Sequence, residues 1–269
     1  MLKPLPARMF STENPKASKS VAYGYLNAIL YLAPHSFAGV GNLCPKASEG
    51  CKRACLGLYS GQASMAIGDT LNNVRRARVQ KAQHFMRNRA VFMGHVMRDI
   101  ARNHFRAKRD GLKLAVRLNG STDIAYEGLR VTLSEQDASD IARLSCGSLR
   151  PWAGTYANVF TVFPSVQFID YTKIATRMRR QLPANYHLTF SRSEINESEA
   201  VDVLASGGNV AAVFSRLPIT WKGARVINGD KHDLRFLDPN NVVVGLVPKG
   251  PKARRDQSGF VIQFGGYHQ

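Results

Sequence analysis

Tyr23-Gly-Tyr-Leu-Asn-Ala-Ile-Leu-Tyr-Leu-Ala33, a Gly-containing loop (35–42), then Asn42-Leu-Cys44-Pro-Lys-Ala-Ser-Glu-Gly-Cys51-Lys-Arg-Ala-Cys55: this run decides how the chain is read. Aromatic and β-branched residues running up to Pro34 predict a strand over 23–33. Three of the four cysteines follow in the loop directly after it, spaced C-x6-C-x3-C. Disulfide scaffolds spread their cysteines to close large loops in short secreted chains. Cysteines clustered in a longer chain point instead to metal ligation. Thiolates are soft ligands suited to zinc or to iron–sulfur clusters. Three on one loop, Cys44, Cys51 and Cys55, can hold three corners of a cubane and leave one iron open. A structural zinc wants a fourth ligand, for which Cys146 and His35 are the candidates.

Outward from that loop, the hydrophobic pattern turns helical from about Met65 to Lys108. Phe92, Val96 and Ile100 recur at four-residue spacing with Met93, Met97 and Ala101 beside them, which reads as a core-facing stripe. A break is expected at Asn88–Arg89. Further strands are expected over 112–118, 166–171, 186–191, 209–214, 224–228 and 241–247. Helices or irregular stretches lie between them, and polar clusters repeatedly follow the strand ends. A helical or irregular stretch is expected over 134–158, a basic helix after Lys173, and a helix over 195–205. Alternation of this kind is the layout of parallel βα units, whose sites form at the C-terminal ends of the strands. With about six units counted, the expected fold is α/β, a partial (β/α)6-type TIM-like barrel with an added basic helical segment over about 65–110. Residues 1–20 read as a flexible N-terminal arm and 21–269 as a single domain. The tail after Lys249 is expected to fold back as an edge strand.

Charge is the most informative bulk property. Lys and Arg total 37 against 19 Asp and Glu, a net +18, with a pI near 10.2. Such a balance favours a polyanion, because each neutralised phosphate releases condensed counterions. Nucleic acid, or a nucleotide, is therefore the expected partner. The arginines of the helical segment are the candidates for phosphate contact: Arg75, Arg76, Arg78, Lys81, Arg102 and Arg106, with Lys173 at a strand end. No apolar run reaches the ~20 residues a bilayer span needs. The N-terminal residues lack the apolar core of a secretory signal. The expectation is a soluble, cytoplasmic protein without a membrane partner.

A three-cysteine loop after the first strand of such a fold resembles the radical S-adenosylmethionine (SAM) superfamily, in which three thiolates hold a 4Fe-4S cluster whose open iron chelates SAM. The usual spacing there is C-x3-C-x2-C, so this loop is longer in both gaps. More closely, the chain resembles a family of phage and mobile-element proteins known as gene product 88. The resemblance rests on Asn42-Leu-Cys44-Pro, Gly50-Cys51-Lys-Arg-Ala-Cys55, Arg117-Leu-Asn-Gly120 with Asp123, Asp170-Tyr-Thr-Lys173, and Asn228-Gly-Asp-Lys-His-Asp233. That family implies no firm activity. The superfamily resemblance implies that the loop after the second strand, Asn119, Gly120, Ser121 and Asp123, meets the SAM amino group. It implies that the fourth strand contributes Thr189, Ser191, Arg192 and Ser193 to ribose and carboxylate, and that backbone of 244–246 meets adenine. Glu194 is a candidate for a ribose hydroxyl or for capping the next helix. A reductant protein would then be a partner.

Asp230, His232 and Asp233 gather acid, base and cation at one strand end and are the catalytic candidates; histidine is poised to titrate near neutrality. Tyr171 is a candidate to stack on a base, and Lys173 to meet a phosphate or carboxylate. His84, His95 and His104 read as surface or core residues. The chain has no P-loop, no zinc-deaminase signature and no Gly-x-Ser-x-Gly elbow. Two functions stand: a radical-SAM-like iron–sulfur enzyme acting on nucleic acid or a nucleotide, or a zinc-stabilised, non-catalytic DNA- or RNA-binding protein.

Overall fold

The computed structural model describes residues 2–13, 15–65 and 70–264. Among the described residues twelve strands form: β1 Phe10–Ser11, β2 Tyr25–Leu30, β3 Lys113–Arg117, β4 Val131–Leu133, β5 Gly154–Tyr156, β6 Gln167–Thr172, β7 Tyr186–Ser191, β8 Val210–Phe214, β9 Thr220–Trp221, β10 Ala224–Asn228, β11 Val243–Leu246 and β12 Val261–Ile262. The helices are α1 Pro15–Ser18, α2 Glu49–Arg53, α3 Leu56–Tyr59, α4 Asn73–Arg87, α5 Arg89–Arg109, α6 Glu135–Leu144, α7 Val159–Val162, α8 Ala175–Met178, α9 Glu197–Ala205 and α10 Gly250–Arg254. All the strands expected from the sequence form, within a few residues of the expected bounds. The break at Asn88 forms too, where φ −145° and ψ 61° stop one helix and start the next.

The result is a mixed α/β fold around a mostly parallel sheet, ordered β1-β2-β3-β6-β7-β8-β11-β10-β9. Seven of these strands, β2, β3, β6, β7, β8, β10 and β11, are joined by parallel pairings and are the seven expected from the sequence. The last two reverse the sequence order, since β11 lies between β8 and β10. Among the described residues no pairing joins the β1–β2 edge to the β9–β10 edge, so the sheet is open.

Register sorts the side chains into two faces. Leu26, Ala28, Leu30, Leu114, Val116, Phe168, Leu188, Val210 and Ala212 point one way and are buried. On that side the expected stripe of Phe92, Val96, Ile100, Met93, Met97 and Ala101 packs down from α5. The opposite face mixes Asn27, Arg117, Tyr171, His187, Thr189 and Ser191 with the apolar Ile29, Ala115, Ile169 and Ala211, and is the more polar of the two. The segment after β10 lies over this polar face. Asp233 accepts from Arg117 at 3.0 Å and from the Tyr171 hydroxyl at 3.1 Å, Phe236 packs edge-on against Tyr25, and Pro239 O accepts from Asn209. This return path is what carries the chain from β10 back to the slot beside β8.

His187 sits on that face beside Arg235, and burial together with that guanidinium holds its imidazole down to about 4. An unfolded histidine titrates near 6.5. Between those values the unfolded chain binds the extra proton, so the stability contributed by a neutral His187 is present above pH 6.5 and lost as pH falls toward 4. Urea titrations at pH 7 and 4.5 should show wild type losing about 2 kcal/mol more than His187→Gln. An equal loss in both would exclude this group as the source.

Two expectations about the periphery change. The N-terminal arm is packed, not free: Met9 is 1% exposed, β1 pairs with β2, and the Met9 and Phe10 amides donate to Asp99 on α5. Met1 and Asn14 lie outside the described residues. The tail does fold back, but β12 pairs with β8 and does not extend either outer edge of the sheet. Val213 pairs with Leu246 on one side and Val261 on the other, so β12 wedges in on the β7 side of β8. The Gly-rich end of the tail, 265–269, and residues 66–69 of the expected helical segment also lie outside the described residues. No helix among the described residues is long and apolar enough to cross a membrane.

Candidate metal centre and its cavity

Each cysteine of the loop is held by local backbone geometry. Cys44 follows an Asx turn in which its amide donates to Asn42 Oδ1 at 2.9 Å, and its Sγ accepts from the His35 amide at 3.2 Å. Cys51 lies in α2, whose N-cap Ser48 takes the Cys51 amide. Cys55 is the N-cap residue of α3, and its backbone carbonyl accepts from the Leu58 and Tyr59 amides. All three line one cavity of about 210 Å³ at the C-terminal ends of the parallel strands. Burial pushes the Cys44 and Cys55 thiols up to about 12, and the neighbouring cysteines push the same way. A cation is needed to draw such thiols into the thiolate form, so loading with metal releases protons.

The rest of the cavity comes from the segments after β3, β6, β7 and β11, from the end of β8 and from the approach to β12. Gly120 crosses β2 so closely that a Cβ there would stand 2.6 Å from Leu30 O, which explains why this position is glycine. Ser121 Oγ donates to Leu32 O, and the Asp123 amide donates to Leu43 O, so the loop after β3 is laced to the strand and loop that carry Cys44. Asn119 is a hub: its side chain serves Thr122, Ile124 and Asp170. Both Asp123 oxygens are engaged, by Arg177 at 2.6 Å and by the Lys173 amide at 2.8 Å. Ser191 Oγ accepts from Lys173 Nζ at 2.7 Å, and the Lys173 ammonium stands over the Phe260 ring. Arg192 spends its terminal nitrogens on the Gly259 and Phe260 carbonyls and on Glu197, which anchors β12.

The structure therefore gathers most of the expected cofactor residues. Asn119, Gly120, Ser121, Asp123, Ser191 and Arg192 line the cavity with the cysteines, and so does Lys173. Thr189 and Ser193 are fully buried behind it, each with a hydroxyl that has no partner among the described residues. The expected catalytic trio does not line it. Asp230 accepts from the Val247 amide and pairs with Lys249 at 2.7 Å. His232 Nδ1 is engaged by the Leu234 amide and Arg235. Asp233 is wholly buried beneath Arg117 and Tyr171, which do line the cavity. Asp233 thus orients two wall residues, and the other two fasten the loop after β10. Cys146, the suggested fourth ligand, is exposed after α6 and is not a lining residue; His35 is one.

The expected basic face of the helices is corrected more sharply. Arg75 is 1% exposed and donates to the Leu58, Ala63 and Thr70 carbonyls, while Arg78 donates to Gly57 O and lies over Tyr31. Lys81 is buried with its ammonium on Met9 O. Arg102 and Arg106 are half-buried and hold the N-terminal arm through Ala7 O and Thr12. Only Arg76 of that set is open to solvent. A long cation on an amphipathic helix reads the same in sequence whether it meets a phosphate or a backbone carbonyl.

Sequence reasoning also missed the clamp on the cysteine loop. Glu194 accepts from Ser48 Oγ and from the Gly50 amide, both at 2.7 Å, at the N-terminus of α2. It caps a helix, but not the one that follows it. A carboxylate there suits both the unpaired amides and the helix dipole.

A search of protein families matches residues 8–263 to Gene product 88. The chain belongs to the gene product 88 family. No curated protein matches it, and no solved structure does.

Proposed function

We propose that this gene product 88 protein is a radical-SAM-like iron–sulfur enzyme whose substrate is a nucleic acid or nucleotide, built on a partial barrel. The observation that carries the reading is the placement of three thiols on one wall of a cavity that also takes in the loop after β3 and the end of β7. The donor set fits a cluster. A cubane takes each thiolate on a different iron, so its ligands need to line a cavity and not to meet at a point. Zinc in the alternative reading asks for four converging ligands.

Cys44, Cys51 and Cys55 would hold the cluster. When bound, it supplies the electron that cleaves the sulfonium of SAM to methionine and an organic radical, chemistry that belongs to the cofactor. The chain's own residues bind and orient. Ser121 and Ser191 present hydroxyl groups to the cavity, Lys173 presents a cation, and Arg117 and Tyr171, held by Asp233, form its floor. The loops after β3 and β7 and the β12 segment exclude water from that space.

Anaerobic purification with iron and sulfide analysis, followed by SAM and dithionite, tests the reading. About four irons per chain, a broad absorption near 400 nm and release of methionine are expected. A colourless protein with one zinc, or a cluster that leaves SAM intact, would reject it.

A further inference from the structure

The cavity mouth is bordered by two basic segments. One is the cysteine loop with α2, carrying Lys46, Lys52 and Arg53. The other is the chain from β11 into α10, carrying Lys249, Lys252, Arg254 and Arg255. They meet because α10 packs on α3: Gly250 lies against the Tyr59 carbonyl, and the Lys252 ammonium stands 3.5 Å over the Tyr59 ring. Lys52 and Ala47 from the first segment and Lys249 and Ala253 from the second line the cavity itself. Among the described residues two of these cations have a carboxylate within ion-pair distance, Lys52 with Glu49 and Lys249 with Asp230, and Glu49 also acts on Arg53 at longer range. Asp256, at the end of the second segment, is buried and taken by Ser258 and the Val261 amide. Lys46, Arg53, Lys252, Arg254 and Arg255 are exposed and have no carboxylate within ion-pair distance among the described residues. Inside the mouth Lys173 bonds the Ser191 hydroxyl and carbonyl and stands over the Phe260 ring, with the Asp123 carboxylate close enough to interact electrostatically.

We infer that this collar is a docking surface for single-stranded nucleic acid, whose phosphates lie on Lys46, Arg53, Lys252, Arg254 and Arg255 while one nucleotide enters the cavity. The inference rests on the reading that the cavity takes a nucleotide-bearing substrate, and gives that substrate its form. Exposed cations on the two segments that border the opening suit a chain of regularly spaced negative charges. Tyr59 beneath Lys252 and Phe260 beneath Lys173 add aromatic faces among the cations, the combination on which single strands bind. A duplex keeps its bases stacked and away from a recessed site, whereas a single strand can turn one in. The arginines of α4 and α5 expected to do this are mostly spent inside the protein, so the mouth is where unspent positive charge and the cavity coincide.

Fluorescence anisotropy with a labelled oligothymidylate of about 20 nucleotides, at several salt concentrations, tests it. The triple variant Arg53→Ala/Lys252→Ala/Arg254→Ala should bind roughly tenfold or more weakly, and its log–log salt slope should flatten by about 2, near 0.7 per lost single-strand phosphate contact. A comparison variant on the helices, Arg76→Ala/Arg87→Ala/Lys108→Ala, should bind as wild type does. Unchanged melting temperatures would confirm that these exposed substitutions leave the fold intact. Wild-type affinity in the collar variant, a loss confined to the helix variant, tighter binding of the corresponding duplex, or preferential displacement by poly-glutamate would each overturn the inference. Repeating the titration in the Cys51→Ala background separates the two ideas: a collar effect there stands even when the protein holds no cluster.

Discussion

Replacing Arg177 with methionine is expected to destabilise the protein by about 3–5 kcal/mol. The guanidinium is 2% exposed and bonds Asp123 at 2.6 Å, Glu127 twice, at 2.7 and 2.8 Å, and the Tyr186 hydroxyl at 3.0 Å. Removing it strands two buried carboxylates, at 10% and 7% exposure, whose desolvation nothing then repays. A pair of this kind adds little compared with an apolar replacement of both sides, but breaking it from one side is costly. Arg177→Lys should recover only part, because an ammonium cannot serve three groups in one plane as the fork does. Urea unfolding at neutral pH measures both. A methionine variant within 1 kcal/mol of wild type would mean that Asp123 and Glu127 find other partners. Because Asp123 also holds the Lys173 amide, the same variant should loosen the cavity wall.

The second large effect is on metal content. Cys51→Ala, Cys44→Ala and Cys55→Ala should each bring iron and sulfide to near background in protein purified without oxygen, whereas Cys146→Ala should leave both unchanged. The reason is position: three thiols share one cavity and the fourth stands exposed elsewhere. Loss of metal in the Cys146 variant as well, or its retention in the other three, would break the assignment. A milder companion is Glu194→Gln, which keeps the shape of the clamp but removes the charge that Ser48 and Gly50 meet.

The parallel strands were legible in the sequence because each pairs a buried apolar row with a turn-rich end, and the pattern is local. Tyr186–Ser191 and Ala224–Asn228 form with the expected bounds. The cysteine loop was legible for a similar reason, since three thiols within twelve residues is a property of the chain before it folds. Placing them after the first strand already put them at the end of the sheet where sites gather. The glycine at 120 and the polar run behind it marked the loop that faces them.

What the sequence alone determined, then, is the parallel strands and the soft-ligand character of the loop, because periodicity and spacing act over a few residues. Tertiary structure alone decided which charges are spent. Arg75 and Arg76 are neighbours in sequence, yet one is buried on three carbonyls and the other faces water. Asp230, His232 and Asp233 look like one constellation, but the turn after β10 sends them to different partners. Glu194 meets Gly50 across 144 residues, and Arg177 meets Asp123 across 54. The placement of β11 inside β10, and of β12 beside β8, likewise depends on how a return segment packs over the polar face. Contacts of that range are set by where packing leaves a buried donor facing a buried acceptor, and no local pattern encodes that.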